Sequence, residues 1–395
     1  MSIDICKHFG RCGGCTHLDI PYEEELKQKE AALRETLGPH GKLLEGILPA
    51  PSPEKYRNKM EFAFGDDGKD GNLALGIRKR RSFYEVATIE DCVLIPDDFK
   101  RIALWVEAFF LFGKTCETFF HRKRHTGTLR HLVLRRGEFT GELLVNISTT
   151  SALKGQLDPL VSQLTSLDLD GEIVGILHSI NDGVADTVKD EDVHVLRGKD
   201  YFRERICGLD FNVSAFSFFQ TNSAGAEILY EVIRNMAVTD AAHLAYDLYC
   251  GTGTIAQILS PGFGKVIGIE LNPGAINAAK VNARLNGITN CEFHTGDVLD
   301  LLDINKGRLS ADTAHNPDIV VVDPPRDGLH PKALAKLIAL APPKLIYVAC
   351  KPASLARDMV TLTEAGYQLT RAVGVDMFPR TPHMEAVVLL QRRDT

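Results

Sequence analysis

Three groups of residues in this chain of 395 residues have the types and spacing of reactive sites. The first is Leu345-Ile-Tyr-Val-Ala-Cys350, an apolar run ending in a cysteine and followed by Lys351 and Pro352. A cysteine there is either a small core residue or a nucleophile, and only the thiolate form attacks. Lys351 and a helix starting after Pro352 would both favour thiolate, so Lys351 is expected to lower the Cys350 pKa. The second is Glu385, at the entry to the apolar run Ala386–Leu390. Desolvation there would raise its pKa toward the range of a general base, and an ordinary strand-end acid is the other reading. The third is the pattern Cys6-x5-Cys12-x2-Cys15 with Cys92 far along the chain. Four such thiolates suit one iron–sulfur cluster, with zinc on the same residues as the alternative.

A ligand pocket is expected beside the first two. Asp247-Leu-Tyr249-Cys-Gly251-Thr-Gly253-Thr254 closes one apolar run and opens a helical one. Glycines there allow close backbone approach, and the helix start offers free N–H groups to a nucleotide. Glu270 ends the next strand, where a carboxylate can accept hydrogen bonds from ribose hydroxyls. Asp297 follows a third strand, with a turn or helix cap as its other reading. Asp323-Pro-Pro-Arg326 closes a fourth with a rigid rim. A dehydrogenase has no need of that rim, whereas an enzyme holding two reactants in line does.

The elements that must position these residues fall into two styles. From about Phe216 onward, strands (His243–Cys250, Val266–Glu270, Ile319–Asp323, Leu345–Cys350) alternate with helices (Asn272–Asn286, Pro331–Leu340, Ala353–Glu364). That alternation predicts an α/β, mostly parallel sheet with helices on both faces and ligands at the strands' carboxyl ends. From Tyr56 to about Phe211 the pattern is short strands and turns, an α+β region with strands such as Lys59–Phe64, Leu132–Arg135 and Leu143–Ile147. Tyr22–Leu37 reads as a helix with Leu26 and Leu33 on its apolar face, and 40–55 as a glycine- and proline-rich linker.

Composition is ordinary for a globular protein, with 44% apolar and 25% charged residues. No apolar run is long enough to span a membrane and no secretory leader is evident, so a cytoplasmic location is expected. Nine cysteines fit a reducing compartment better than a disulfide scaffold. The net charge of -7 argues against a polyanionic partner, but the cations are clustered. Arg78–Arg81 is one basic run, and His121–Arg136 holds six Lys and Arg with no acid. Such segments fit a nucleic-acid face or an ordinary solvated surface. Nothing points to an obligate protein partner.

Taken together, the motifs resemble the RNA uracil-5-methyltransferases, specifically the iron–sulfur branch that acts on 23S ribosomal RNA. The resemblance is carried by CKHFGRCGGC at 6–15, Asp91-Cys92, FSFFQTN at 216–222, DLYCGTGT, GIELN at 268–272, DPPRDG at 323–328, YVACKPASLARD at 347–358 and DMFPRTPHMEAV at 376–387, which span nearly the whole chain. It implies a Rossmann-like class I S-adenosylmethionine methyltransferase domain over 24–55 and 218–395. It also implies a cluster-bearing, RNA-binding domain over 1–23 and 56–217. Cys350 then matches the nucleophile that adds to carbon 6 of uracil, which is needed because carbon 5 cannot attack a methyl sulfonium unaided. Glu385 matches the base that removes the carbon 5 proton. Gln220, Tyr249, Gly251, Glu270 and Asp323 match the surroundings of the methyl donor, with Thr254 and Asp297 as weaker matches. Cys6, Cys12, Cys15 and Cys92 match ligands of a [4Fe–4S] cluster, and their spacing differs from the C-x3-C-x2-C of radical enzymes.

Amino-directed methyltransferases carry Asn-Pro-Pro-Tyr where this chain has Asp-Pro-Pro-Arg, which disfavours an exocyclic amine as target. The chain departs from the family in reading Ala-Cys-Lys-Pro instead of Ser-Cys-Asn-Pro, and in showing no small β-barrel before Cys6. Transfer RNA is the alternative substrate. A nucleotide-dependent iron–sulfur oxidoreductase using NAD is the rival activity, but it gives no role to Asp323–Arg326, Cys350 or Glu385.

Overall fold

In a computed structural model, the described residues are 6–68, 71–113, 117–153, 157–185, 192–238, 243–301 and 317–393. In chain order they form α1 (Tyr22–Thr36), β1 (Leu44–Leu48), β2 (Lys59–Asp66), β3 (Leu73–Arg78), β4 (Val86–Ala87), α2 (Asp97–Phe112), β5 (Leu129–Arg136), β6 (Glu142–Thr149), α3 (Asp158–Leu164), β7 (Glu172–Ile180) and β8 (Val193–Gly198). A hairpin of β9 (Tyr201–Ile206) and β10 (Leu209–Ser214) follows, then α4 (Ser223–Ala237), β11 (Leu244–Leu248), α5 (Thr254–Leu259), β12 (Lys265–Glu270), α6 (Pro273–Leu285), β13 (Cys291–Thr295) and α7 (Val298–Leu301). The chain ends with β14 (Ile319–Val322), α8 (Pro331–Leu340), β15 (Lys344–Ala349), α9 (Pro352–Glu364), β16 (Tyr367–Val375) and β17 (Glu385–Arg392).

Two large sheets result. One is eight-stranded, ordered β1-β16-β17-β15-β14-β11-β12-β13. Strands β11 to β15 pair in parallel, and β17 runs antiparallel between β15 and β16. Its residues are apolar on both faces because both are covered. Ala245, Val321 and Ile346 meet α4, α5 and α6 on one side, while Tyr246, Val320 and Tyr347 meet α1, α8 and α9 on the other. This is the mixed α/β, Rossmann-like arrangement. The chain leaves β11 for β12 and β13 on one side and returns to β14 on the other, so the sheet has a topological switch point beside β11, where ligand crevices form. The other sheet is seven-stranded, ordered β4-β3-β2-β5-β6-β7-β8, with α2 and α3 packed on it around Phe62, Phe64 and Phe99. Among the described residues no helix is long and apolar enough to cross a membrane.

Three local expectations are corrected. The stretch 40–55 is not a plain linker: it contains β1, which pairs in parallel with β16 as the edge of the eight-stranded sheet. Its apolar Leu44 and Ile47 are what the proline-rich flanks concealed. The inner face of α1 is not built on Leu26. It buries Glu25 and Lys29 with Leu33. Lys29 Nζ donates to Glu25 Oε1 and to Asp376 Oδ1, both at 2.7 Å, so one buried ammonium is shared by two buried carboxylates. Arg130 and Arg135 do not belong to a surface basic run, as each is only 1% exposed. Arg130 donates to the carbonyls of Asn181, Gly183 and Ala185, and Arg135 to those of Ser214, Ala215 and Ser217. A guanidinium can satisfy several carbonyls at once, which suits both to tying loops together from within.

Candidate active site

Cys350, Glu385 and the residues expected to line a ligand pocket gather where the parallel strands of the eight-stranded sheet end. Parallel pairing brings the carboxyl ends of β11, β12, β13, β14 and β15 to that side, and so places Tyr249, Glu270, Asp297, Asp323 and Cys350 there. Because β17 is antiparallel, its first residue, Glu385, arrives at the same side. The register pairs Ala349 with Ala386, so the next rung sets Cys350 opposite Glu385. All six line a cleft of about 890 Å³ with Gln220, Gly251 and Arg326. Thr254 is not on its lining: it is the first residue of α5 and is buried behind the loop.

The glycine loop has the backbone its sequence requires. Tyr249, Gly251 and Gly253 have φ of 64°, 52° and 75°. At Gly253 a Cβ would fall 2.5 Å from the Phe293 ring, so only glycine fits. Asp247, fully buried, accepts from Ala256 N at 2.9 Å and so fixes α5 to β11. Burial pushes its carboxyl up to about 8. Glu270 accepts from Gly251 N at 3.3 Å and Asn272 N at 2.9 Å, which holds the carboxylate at the cleft.

Asp323, Glu385 and Cys350 share a desolvated corner. Burial raises the Asp323 carboxyl well above its usual range. Glu385, 4% exposed, is raised too, by burial first and then by the Asp323 charge, while Arg326 works in the opposite sense. Glu385 Oε2 is buried with no hydrogen-bond partner. The Cys350 thiol is also pushed upward, by burial first and then by the charges of Glu385 and Asp323. This reverses the expectation for Lys351. That residue is exposed and caps α9 without a side-chain bond, and the cation whose charge favours the ionised thiol is Arg326. Proximity in sequence misled because residues adjacent at a strand end need not share a surface.

Sequence reading also missed the residues that hold the loop following Arg326. Asp358, 3% exposed on α9, accepts from Leu329 N and Tyr347 Oη, both at 2.8 Å, and Arg357 Nη2 donates to Asp327 O at 2.7 Å. The signal was a carboxylate on the buried face of a helix. The cleft wall opposite carries Phe216, Phe218 and Phe378. Asn58 donates to Gln220 O at 3.0 Å, which fixes that wall to β2.

Cys6, Cys12, Cys15 and Cys92 line one small cavity beside the seven-stranded sheet, and all four are unpaired thiols. Burial, then the neighbouring thiols of Cys12, Cys92 and Cys6, push Cys15 up to about 12. As they stand, no group of three or more His, Cys, Asp or Glu among the described residues is arranged to hold a metal ion.

A family profile described as tRNA (Uracil-5-)-methyltransferase matches residues 191–393. An uncharacterized RNA methyltransferase of Clostridium tetani is 41% identical over 99% of this chain and 84% of its own length. One of Caldanaerobacter subterraneus subsp. tengcongensis is 43% identical over 98% of this chain and 84% of its own. The crystal structure of Pyrococcus abyssi tRNA (uracil-54, C5)-methyltransferase in complex with S-adenosyl-L-homocysteine superposes with a TM-score of 0.75 at 29% identity, covering 96% of this chain and 86% of that one. With a reactive cleft at the switch point of a Rossmann-like sheet and relatives of this kind over its full length, the chain belongs to the RNA uracil-5-methyltransferase family and is an RNA methyltransferase.

Proposed function

We propose that this enzyme methylates carbon 5 of a uridine in RNA, with S-adenosylmethionine as donor, Cys350 as nucleophile and Glu385 as base. The observation that carries the reading is the cleft that brings Cys350 opposite Glu385 beside the glycine loop. S-adenosylmethionine, when bound, supplies an electrophilic methyl group. The residues present fit it: Gly251 leaves room for close approach, Glu270 suits ribose hydroxyls, and Gln220, Tyr249, Asp297 and Asp323 supply further polar contacts on the cleft. Thr254 supports the loop from behind.

In the reaction, Cys350 Sγ bonds to carbon 6 of the uracil, which makes carbon 5 enolate-like. Carbon 5 then bonds the methyl carbon as the donor's sulfur–methyl bond breaks. Glu385 Oε2 takes the carbon 5 proton, the ring double bond re-forms, and Sγ leaves. A buried carboxylate with raised proton affinity suits that step. RNA containing 5-fluorouridine tests the scheme, since fluorine blocks proton removal. With S-adenosylmethionine, wild type should form a covalent protein–RNA adduct that survives denaturing gels and Cys350→Ala should form none. No adduct with wild type sinks the mechanism.

The four-cysteine pattern favours 23S ribosomal RNA as substrate, whereas the likeness to a tRNA (uracil-54, C5)-methyltransferase favours transfer RNA. Mapping 5-methyluridine in both RNA pools with and without the gene decides between them. We assign a [4Fe–4S] cluster to Cys6, Cys12, Cys15 and Cys92, supported by their convergence on one cavity. Anaerobic purification should give about four irons per chain and charge-transfer absorption, both lost in Cys12→Ser, and one zinc per chain would overturn the assignment. We also infer a division into 1–23 with 56–217 and 24–55 with 218–395, supported by β1 joining the eight-stranded sheet. Limited proteolysis should cut near those joints, and cuts confined elsewhere would refute it.

A further inference from the structure

The seven-stranded sheet carries an aromatic and cationic cluster that the methylation chemistry does not use. The turn after β3 and the turn before β5 meet there. Tyr84 stacks on His121 with centroids 4.3 Å apart and planes at 25°, and Phe119 lies 6.1 Å from Tyr84. Phe83 is 63% exposed, and Lys123 Nζ sits 5.9 Å above its ring. A single exposed phenylalanine is ordinary, but here it adjoins the Tyr84 ring at 6.5 Å and a lysine, so the apolar ring belongs to an aromatic and cationic cluster. The cations here are Arg78 at the end of β3 and Lys79, Arg80, Arg81, Arg122, Lys123 and Arg124 in the two turns; the acids are Glu85, engaged by Lys79 at 3.1 Å, and Glu117, which accepts from Thr128 Oγ1. Arg80, Arg81, Lys123 and Arg124 are exposed. The turn after β3 is also fixed to the cysteine loop, since Arg80 N donates to Arg11 O at 2.7 Å and Cys12 bridges Lys79.

A flat hydrophobic ring among mobile cations fits a ligand with π-faces and regularly spaced negative charge. Single-stranded nucleic acid has both, and a base stacked on an exposed aromatic ring contributes affinity without reading sequence. Charge alone would attract any polyanion, but the stacked rings select one that carries bases. We infer that Phe83, with the Tyr84–His121 stack and Lys123, is a platform on which an unpaired base of the substrate RNA stacks while its flanking phosphates meet Arg80, Arg81 and Arg124. The inference rests on the RNA methyltransferase reading and adds to it a second place where the RNA is held, outside the catalytic cleft.

Anisotropy of a short labelled single-stranded RNA tests it, with base-free polyphosphate as the comparison ligand and the thermal midpoint as a check on folding. Phe83→Ala should weaken RNA binding about 5- to 100-fold and leave polyphosphate binding unchanged. Lys123→Ala should lower the slope of log affinity against log salt by about one. Equal losses for both ligands would reduce the platform to a plain cation patch and overturn it. Unchanged RNA affinity in Phe83→Ala, while wild type still methylates RNA, overturns the platform and leaves the catalytic reading standing. If wild type methylates no RNA at all, that reading fails first and takes the platform with it.

Discussion

At the scale of the residue, the informative contrast is between Lys351 and Arg326. Both are cations near Cys350 in sequence or space, and it is the Arg326 charge that favours the thiolate. Replacing Arg326 with Gln should raise the apparent pKa of Cys350, since a positive charge that favours the thiolate is removed from a desolvated corner. Lys351→Gln should leave it unchanged. The pH dependence of iodoacetamide alkylation measures both, and an equal shift in the two variants would contradict the geometry. Glu385→Gln should slow turnover about 10²–10⁴-fold and cause covalent RNA adducts to accumulate without fluorouridine, because methyl transfer proceeds and the carbon 5 proton stays. Wild-type activity should rise as pH passes upward through the raised Glu385 pKa, because only the ionised carboxylate takes a proton. The places of Cys350 and Glu385 at strand ends were legible in sequence because each ends or begins an apolar run, whereas the roles proposed for them came from the family motifs. Arg326 was visible only as part of a motif, since the cleft that brings its charge near Cys350 and Glu385 is made by separate strand ends.

At the scale of the element, the glycine loop and its anchor make separable predictions. Gly253→Ala should destabilise the fold by about 1–3 kcal/mol, because a Cβ would meet Phe293 at a positive φ. Urea denaturation measures this, and an unchanged midpoint would mean that α5 shifts at no cost. Asp247 titrates near 8 in the folded chain and near 3.8 in the unfolded one. The unfolded state therefore releases its proton first as pH rises, and stability falls across that window before levelling above it. Asp247→Asn should flatten the decline of thermal midpoint between these values. Periodicity located α6, α8 and the central strands to within a residue or two, since each is a simple apolar pattern. Periodicity did not find β1 because its apolar residues are few and its partner, β16, lies more than 300 residues away.

For the molecule as a whole, the buried charges of α1 are the least legible feature and the most consequential. A helix written as Tyr-Glu-Glu-Glu-Leu-Lys-Gln-Lys looks like a solvated surface, yet Lys29 is 2% exposed between Glu25 and Asp376. Lys29→Met should cost about 3–5 kcal/mol because two carboxylates lose their counter-charge. Adding Asp376→Asn should recover part of that loss in urea denaturation, and strict additivity of the two substitutions would show that they do not interact. The same network clasps the approach to β17. Thr16 N and His17 N donate to Arg380 O, and Arg380 N donates to Glu25 Oε1 at 2.8 Å. Glu385 therefore hangs from a segment that the opening residues of the chain grip. Loop closures that long are slow relative to local contacts. The pairing of β15 with β17 can therefore set Cys350 opposite Glu385 before the clasp between residues 16–29 and 376–380 closes over their approach.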